Sequence, residues 1–394
     1  MKILVVCQHY YPEPFRITDI CEELVSRGHQ VTVVTGTPNY PKGEIYKGYD
    51  KKDKKHEVIN GVEVFRCYEI PRKKGILFRF LNYYSFAISS KKFCKKLKTD
   101  YDVVFANQLS PIMMVDGAIA YKKKHNKKLV MYVMDLWPES LLAGGIKKGS
   151  LIYKHYLKVS KEIYKQADVL AVTSKSFVGY LKDNFGISDD KFIYLPQYAE
   201  SLFDYETCKK QADEYIDLTF AGNIGKAQSV ETIIKSAGEL KDIKNLRFHI
   251  LGEGSSLEKC KNLVNELELT NFTFYGRKPV EDMPKYYKMA DAMLVTLTGD
   301  EFAKLTLPGK VQSYMVAGKP IIASIDGETQ EVIKEANCGF VASAKDYIGL
   351  ANAIRSFVNL TKEQKEVLAK NAYDYSKENF SKEGFLDCLK NLFN

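Results

Sequence analysis

Short apolar strands alternate with amphipathic helical segments along the chain, and this alternation starts twice. The first run opens with the apolar stretch KILVVCQ at residues 2–8 and continues to about residue 200. The second run opens with IDLTFAG at residues 216–222. Alternation of this kind is typical of domains in which helices cover a mostly parallel sheet. The sequence therefore predicts an α/β fold built twice.

The length of the chain supports the same division. A chain of 394 residues is too long for one ordinary core and suits two domains of about 150–200 residues each. We predict two Rossmann-like, doubly wound domains, at residues 1–200 and 201–375, and a terminal helix at 376–394 that packs back on the first domain. Folds of this type bind ligands at the carboxyl ends of their strands.

Cysteine usage and hydropathy limit the cellular compartment and the kinds of site that the sequence favours. The eight cysteines are scattered, without a C-x-x-C pair or histidines at metal-binding spacing. This favours a reducing, cytoplasmic compartment and predicts no metal site. The N-terminal apolar run is too short for a signal peptide, and no run of about 18 apolar residues exists that would span a bilayer.

Positive charge is concentrated in residues 72–98, which contain nine lysines or arginines and no acid. Aromatic and aliphatic residues lie between those charges. A helix of this composition can lie in a bilayer interface, with its cations at anionic headgroups. It can equally be a buried helix with a solvated basic end. No nucleic-acid-binding module is visible, so we expect no nucleic-acid partner.

A glycine-containing turn follows the first strand of the second run, in LTFAGNIGKAQSVETII at residues 218–234. Turns of this kind before a helix hold anions on backbone N–H groups and on the positive helix end. The residues that we expect to contact a phosphate here are Gly222, Asn223, Gly225 and Lys226. A plain tight turn between strand and helix is the alternative.

Several polar residues follow predicted strands of the first domain. Asp135 comes directly after KLVMYVM and could orient an acceptor hydroxyl or take its proton. Its alternative is a helix N-cap. Further candidates on this acceptor side lie in the loop QHYYPEPFRITD and at the end of DVVFANQ: His9, Tyr11, Glu13, Arg16, Asn107 and Gln108. His9 could instead cap a neighbouring strand.

The chain resembles the GT-B-fold glycosyltransferases of family 4. The motifs that carry the resemblance are the opening KILVVCQHYYPEPFRITD, then MDLWPES, AGNIGKAQ, LGEG, YGRKP and LPGKVQSYMVAGKPIIASIDGE, in this order. Among the members of the family it is most similar to bacterial transferases of capsule, O-antigen and colanic-type polysaccharides, including the L-fucosamine-transferase type. The resemblance implies two domains that face a central cleft, a nucleotide-diphosphate sugar as donor, retention at the anomeric carbon, and no metal or other cofactor.

The chain departs from the family pattern at the phosphate turn. Relatives carry an arginine directly after the glycine and a lysine about five residues later, whereas this chain has Asn223 and Gln228. We expect Lys310, Lys304 and Arg277 to supply the missing charge, with Lys310 favoured because it precedes a predicted helix. We count Lys310 and Lys304, together with Asp135, as candidate catalytic residues.

A second departure concerns two glutamates that relatives use to bind the donor. The second falls on Ser313, and the first falls near Leu305 unless an insertion makes Glu301 its equivalent. Arg277 is also a donor-binding candidate, and the remaining ones are Glu253, Lys278, Pro308 and Gln312.

These observations predict a metal-independent glycosyltransferase at the cytoplasmic face of the inner membrane. It would transfer an N-acetylated or deoxy hexose, with UDP-sugar the expected donor, to a polyprenyl-diphosphate-linked saccharide. Residues 72–98 would contact the membrane. The alternatives are a sugar-nucleotide epimerase of the same fold and a catalytically silent partner subunit, the latter suggested by Ser313 in place of an acid.

Overall fold

The computed structural model of the protein describes residues 1–50, 52–73, 75–143, 145–211 and 213–394. These residues form two units. Unit 1 comprises residues 1–195 and 386–394, and unit 2 comprises residues 196–385. Sequence reasoning alone set the corresponding boundaries after residues 200 and 375.

Unit 1 is built on a sheet in which β3 and β4 are antiparallel and the other neighbours are parallel. Its strands, in spatial order, are β3 (His56–Ile59), β4 (Val62–Arg66), β2 (Gln30–Thr35), β1 (Lys2–Val6), β5 (Val103–Gln108), β6 (Lys128–Val133), β7 (Val169–Val172) and β8 (Phe192–Tyr194). The strands around β1 are almost wholly buried, which explains why they are nearly continuous apolar runs.

The helices of unit 1 are α1 (Ile17–Ser26), α2 (Ile76–Lys96), α3 (Asp116–His125), α4 (Ser140–Ala143), α5 (Leu151–Tyr164) and α6 (Lys175–Phe185). Most of the last helix of the chain (Lys382–Phe393) also belongs to this unit. The ring of Phe393 lies 5.6 Å from that of Phe105 on β5, and Leu389 is fully buried. Residues 386–394 therefore complete the core of unit 1.

Unit 2 contains a wholly parallel sheet. Its strands, in spatial order, are β11 (Phe272–Gly276), β10 (Leu246–Leu251), β9 (Ile216–Ala221), β12 (Ala292–Thr296), β13 (Ile321–Ser324) and β14 (Gly339–Ala342). Its helices are α7 (Tyr205–Cys208), α8 (Val230–Gly238), α9 (Leu257–Glu266), α10 (Met283–Met289), α11 (Gly309–Val316), α12 (Glu328–Glu335), α13 (Tyr347–Val358) and α14 (Lys362–Asn379).

The hydrophobic core of unit 2 lies on both faces of its sheet. One apolar cluster contains residues of α10, α11 and α12, and the other contains residues of α8, α9 and α13. The strand order reverses at β9, which lies between β10 and β12, as it does at β1 in unit 1. The predicted α/β class with two Rossmann-like parallel sheets is confirmed, and the carboxyl ends of β1 and β9 are where a ligand site is expected.

Candidate functional site

The turn after β9 packs backbone to backbone against the loop after β10. Gly222 N–H donates to the carbonyl of Leu251, and Ile224 N–H donates to that of Glu253. A Cβ atom at Gly252 would lie 1.8 Å from the carbonyl oxygen of Gly222, and Gly252 has a φ of +137°. Only glycine fits there. The contact holds the turn in place, and it uses the amide of Gly222, one of the four residues that the sequence suggested for an anion.

The rest of the turn keeps polar groups available. The side chain of Asn223 folds back toward Gly225, where a Cβ would meet its Nδ2 at 2.6 Å. A short 3-10 turn (Lys226–Gln228) and Ser229, with a left-handed φ of 46°, come before α8. The Lys226 side chain is exposed. The amides of Asn223, Gly225 and Lys226 are therefore the donors that remain for an anion.

Lys310, in the first turn of α11, is brought directly to this turn. Its Nζ lies 2.8 Å from the position that a Cβ on Gly222 would occupy, and it donates to Oε1 of Gln228 at 2.9 Å. It also lies over the Phe220 ring, 4.3 Å from the centroid. Among the described residues no carboxylate pairs with it. Burial lowers the pKa of Lys310 to about 7.

The structure does not bring the other predicted cations into this group. Lys304 lies 3.9 Å from Glu301, and both side chains are substantially exposed, so this pair is weak. Arg277 and Lys278 follow β11 at its carboxyl end and make no ion pair within the described residues. The loop that carries them is joined to the phosphate turn through Gly252, whose N–H donates to the carbonyl of Gly276.

A carboxylate lies beside Ser313, where the family pattern leads one to expect an acid. The Ser313 hydroxyl donates to Oε2 of Glu200, and Ser313 is 5% exposed. Gln312 is buried, and its amide nitrogen is oriented to donate to the carbonyls of Pro308 and Gly309. The polar capacity of Gln312 is thus used within its own helix, whereas Glu200 adds a negative charge to α11.

Asp135 follows β6 in unit 1, inside a network of hydroxyl groups. Its carboxylate accepts hydrogen bonds from Ser110 and, at 3.0 Å, from Ser140. Trp137 Nε1 donates to the Ser110 hydroxyl at 2.7 Å. Burial raises the pKa of Asp135 to about 6, and the two serine hydrogen bonds limit the rise. Because α4 begins at Ser140, Asp135 is not the N-cap residue of this helix.

The loop after β1 is held by a buried acid–histidine pair. Nδ1 of His9 lies 2.9 Å from Oε2 of Glu13, and the other oxygen of Glu13 accepts from the amides of Asn39 and Tyr40. His9 therefore pairs with Glu13, and the alternative of a simple strand cap does not describe it. Tyr11 is 46% exposed, so it is the part of this loop that faces solvent.

The remaining acceptor-side candidates differ in how accessible they are. Gln108 is fully buried and donates to the carbonyl of Leu109 at 2.7 Å. Asn107 is also buried, but its side-chain oxygen accepts no hydrogen bond in the described chain. Arg16, which comes just before α1, is half-buried. Gln108 is linked to Asp135 through the Tyr164 hydroxyl, which lies 3.4 Å from the Gln108 side-chain oxygen and 3.3 Å from the Asp135 carbonyl oxygen.

Sequence reasoning missed three residues of these networks: Ser110, Glu200 and Glu69. Glu69 lies in unit 1 and accepts hydrogen bonds from Gln8, Asn39 and Asn82. Burial raises its pKa to about 7, although the His9 charge and these hydrogen bonds oppose the rise. Glu69 follows a strand, which is the one local signal that could have found it. Glu200 and Ser110 act through partners far away in the sequence.

Comparisons with known proteins identify both halves of the chain. Residues 16–197 match the model of Glycosyltransferase Family 4, and residues 207–375 match the model of Glycosyl transferases group 1. The two models together cover most of the sequence. No group of three or more His, Cys, Asp or Glu side chains that could hold a metal ion occurs in the described residues.

Three individual proteins show what this chain is similar to. WcaI of Escherichia coli (strain K12), named as a glycosyl transferase of colanic acid biosynthesis, is 24% identical over 84% of each chain. An N-acetylgalactosaminyltransferase of Campylobacter jejuni, whose name specifies a diphospho-undecaprenol-linked acceptor, is 26% identical over 50% of this chain and 52% of its own. The structure of Anabaena HepE in complex with UDP superimposes with a TM-score of 0.72 at 14% identity, over 99% of both chains.

The pKa of Lys310 generates a prediction for nucleotide binding. Because its pKa is about 7, the lysine is charged below pH 7 and loses its proton as the pH rises. A bound diphosphate favours the charged form, so we expect the affinity for UDP to fall about tenfold per pH unit above pH 7, until the raised pKa of the complex is reached. Isothermal titration calorimetry between pH 6.5 and 9, in buffer with EDTA, measures this.

The control is the variant Lys310→Met, for which the affinity should be weaker at pH 6.5 and nearly constant with pH. An unchanged pH dependence in that variant would show that Lys310 does not contact the phosphates. Binding that appears only after a divalent cation is added would show that the protein does not supply the neutralising charge by itself.

Proposed function

The chain is a glycosyltransferase of the family 4 and group 1 type, and we propose that it transfers a sugar from a nucleotide diphosphate to a lipid-linked saccharide during surface-polysaccharide synthesis. The observation that carries this proposal is Lys310, a lysine without a carboxylate partner in the described chain, held at the glycine turn of unit 2. The names of the relatives in colanic acid and undecaprenol-linked synthesis support the choice of pathway.

The donor chemistry follows from the charge that develops on the leaving group. Cleavage of the sugar–phosphate bond leaves a nucleoside diphosphate, whose charge must be met by fixed cations and N–H donors. Lys310, the free amides of the turn and the N-terminus of α11 supply these in unit 2. We propose that they do so without a metal ion, that the reaction retains the anomeric configuration, and that the donor is a UDP-linked N-acetylated or deoxy hexose.

Glu200 takes the role of the missing second glutamate in this proposal. Its carboxylate is held at α11 by Ser313, one turn after Lys310. An ionised carboxylate accepts hydrogen bonds strongly, and a ribose offers two vicinal hydroxyl donors. We propose that Glu200 binds the ribose of the donor while Lys310 binds its diphosphate. The departure at Ser313 would then be a relocation of the acid to another segment of unit 2.

Asp135 is proposed to act on the acceptor hydroxyl. With a pKa of about 6, its carboxylate is mostly ionised at pH 7 and can still accept a proton. The hydroxyls of Ser110 and Ser140 fix the orientation of one of its oxygens. Since the second oxygen accepts no hydrogen bond from these serines, it is the one that we assign to the acceptor.

One face of α2 supports membrane binding. The opposite face is packed into unit 1 through Tyr83, Phe86 and Cys94. The helix is therefore buried on one face only. The outward face presents four apolar or aromatic residues at helical spacing, whose exposed fractions range from 39% to 69%: Leu77, Leu81, Tyr84 and Ile88. Of residues 72–98, Lys74 lies outside the described residues.

A second element extends this surface, which we call the apolar face of unit 1. Tyr84 shares a 2.9 Å hydrogen bond with Tyr156 of α5, and Leu151 and Ile152 at the start of α5 are 86% and 48% exposed. A groove of about 520 Å³ between α2 and α3 is lined by one acid, Asp116, which lies 3.8 Å from Lys91, and by four lysines: Lys91, Lys95, Lys123 and Lys124. An apolar centre with a cationic border fits an anionic bilayer surface.

We therefore propose that the enzyme works at the cytoplasmic face of the inner membrane, where a polyprenyl-linked acceptor would be found. None of the described helices combines the length and the apolar composition needed to cross a bilayer. In this proposal, contact with the membrane is peripheral and is made by the apolar face of unit 1.

The catalytic proposal predicts separate effects for binding and turnover. Asp135→Asn should lower kcat by about 10²–10⁴ with a polyprenyl-diphosphate-linked acceptor, because the amide cannot take the proton, and should leave UDP affinity unchanged. Ser140→Ala should move the acidic limb of the pH–rate profile to higher pH, since it removes a hydrogen bond that stabilises the ionised carboxylate. Wild-type protein that consumed none of a panel of nucleotide sugars with this acceptor would contradict the proposed function.

The ribose proposal predicts a loss of discrimination in Glu200→Gln. The variant should bind UDP about tenfold to a hundredfold more weakly, as expected for the loss of a hydrogen bond to a charged acceptor. It should also no longer distinguish UDP from its 2′,3′-dideoxy analogue, which calorimetry can measure. Ser313→Ala, which keeps the charge of Glu200, should lose less affinity. If Glu200→Gln still prefers UDP over the analogue as strongly as the wild type does, Glu200 does not bind the ribose.

The membrane proposal predicts that the double variant Leu77→Ser/Leu81→Ser binds vesicles less well. Each leucine would lose part of its transfer free energy, so partitioning onto vesicles with anionic phosphatidylglycerol should fall by about tenfold or more. Co-flotation with vesicles measures this, and Val367→Ser, an exposed apolar position on α14, is the matched control. Equal partitioning of the double variant and the control would remove the apolar face of unit 1 as the membrane contact.

A further inference from the structure

A cavity of about 440 Å³ lies in unit 2 at the N-terminal ends of α8 and α9. We call it the α8–α9 cavity. Its wall contains several hydroxyl groups, one acid, Glu231, and four lysines: Lys226, Lys235, Lys259 and Lys345. Its composition distinguishes it from an apolar surface groove, and Lys310 is not part of it.

The charge balance of the α8–α9 cavity is positive. Four lysines line it against a single acid, Glu231, which pairs with Lys259 at 3.2 Å. Within the described residues the other three lysines have no carboxylate partner, and Lys235 lies 5.9 Å from the centroid of the Tyr347 ring. A concave surface with such an excess of cations attracts anions.

Two helix ends add donors to the same wall. Ser229 and Ser256 hold the N-cap positions of α8 and α9, yet neither side chain makes a capping hydrogen bond. The N–H groups of both first turns therefore lack the side-chain acceptor that usually satisfies them, although those of Thr232 and Leu257 donate to the backbone carbonyls of Ser229 and Gly254. A phosphate oxygen is the kind of acceptor that such helix ends bind.

Ser256 gives an independent indication of a ligand. It is only 5% exposed, it lines the α8–α9 cavity, and its hydroxyl makes no hydrogen bond to any of the described residues. The Ser256 oxygen is not one of the fully buried side-chain atoms that lack a partner, so it contacts the open space of the cavity and is accessible to a ligand there. Ser229, by contrast, shares a hydrogen bond of 3.0 Å with Thr232. The Ser256 hydroxyl is thus a donor directed into a cationic cavity without an acceptor.

We propose that the α8–α9 cavity is a second anion site, which binds the phosphate group of a small molecule such as inorganic phosphate or a sugar phosphate. Lys235 and Lys345 supply charge, and Ser256 together with the first-turn amides of α9 supplies directed hydrogen bonds. The site is separate from the one at Lys310, and its existence does not depend on the proposed transferase function.

Binding of an anion at the second site should change nucleotide binding at the first. Lys226 and Ser229, which line the cavity, flank Gln228, and Gln228 holds Lys310. The turn between them is fixed to the end of β12, since the N–H of Thr298 donates to Ala227 and the Thr296 hydroxyl donates to the carbonyl of Gln228. Because the two sites share this turn, an anion in the cavity would change the affinity for the nucleotide at Lys310.

The test is titration of inorganic phosphate and, separately, of a hexose 1-phosphate, followed by calorimetry. The variant Lys310→Met serves as background, so that the nucleotide site cannot contribute. Binding should persist in Lys310→Met, and adding Lys235→Gln and Lys345→Gln should weaken it about tenfold or more. Lys261→Gln, on α9 but outside the cavity wall, should leave it unchanged. Tighter binding of the hexose 1-phosphate would identify a sugar phosphate as the ligand, and equal binding would identify the phosphate group alone.

Ser256→Ala provides a second readout. It should weaken phosphate binding and leave the melting temperature of the free protein unchanged, because the hydroxyl makes no hydrogen bond to the described residues. Loss of all phosphate binding in Lys310→Met would overturn the proposal, and so would equal affinity in the cavity variants and Lys261→Gln. Absence of binding up to phosphate concentrations on the order of 10 mM would overturn it as well.

Discussion

The contact between the two glycine loops of unit 2 is the constraint on which the candidate donor site depends. The carbonyl group of Gly222 occupies the position that a side chain on Gly252 would need. Close approach of the two backbones lets the carbonyls after β10 accept from the amides after β9. The turn is therefore rigid before any ligand arrives, and a rigid set of donors loses little entropy when it binds. Asn223 and Gln228 belong to this turn, and Lys310 of α11 contacts it through Gln228.

Electrostatics then decides what such a rigid turn can hold. A half-buried lysine that interacts only with an amide oxygen and an aromatic ring is not neutralised within the described protein. Burial of the ammonium group lowers the pKa of Lys310, and no carboxylate among the described residues pairs with it to oppose that shift. Asp135 in unit 1 shifts in the opposite direction, since burial raises the pKa of its carboxyl group while hydrogen bonds from two hydroxyls and one amide limit the rise. Perturbed groups of this kind are characteristic of ligand sites.

The sequence predicted what depends on local pattern and missed what depends on distant partners. The alternation of strands and helices predicted both sheets, and the glycine turn, Asp135 and Lys310 became candidates because each lies next to a strand end or a helix start. Glu200 could not be found in this way, since it meets Ser313 across more than a hundred residues of chain. Likewise, no local signal joins Ser110 to Asp135 or shows that the hydroxyl of Ser256 is left without a partner. Burial and side-chain pairing are properties of the folded chain.

The return of residues 386–394 to unit 1 has a consequence for biosynthesis. Phe393 and Leu389 fill the interior beside β5, yet all of unit 2 comes before them in the order of translation. During synthesis on the ribosome, unit 2 has every residue that it needs earlier than unit 1 does. Part of the apolar interior of unit 1 therefore stays open until residues 386–394 have been synthesised, and exposed apolar surface of this kind is what chaperones bind.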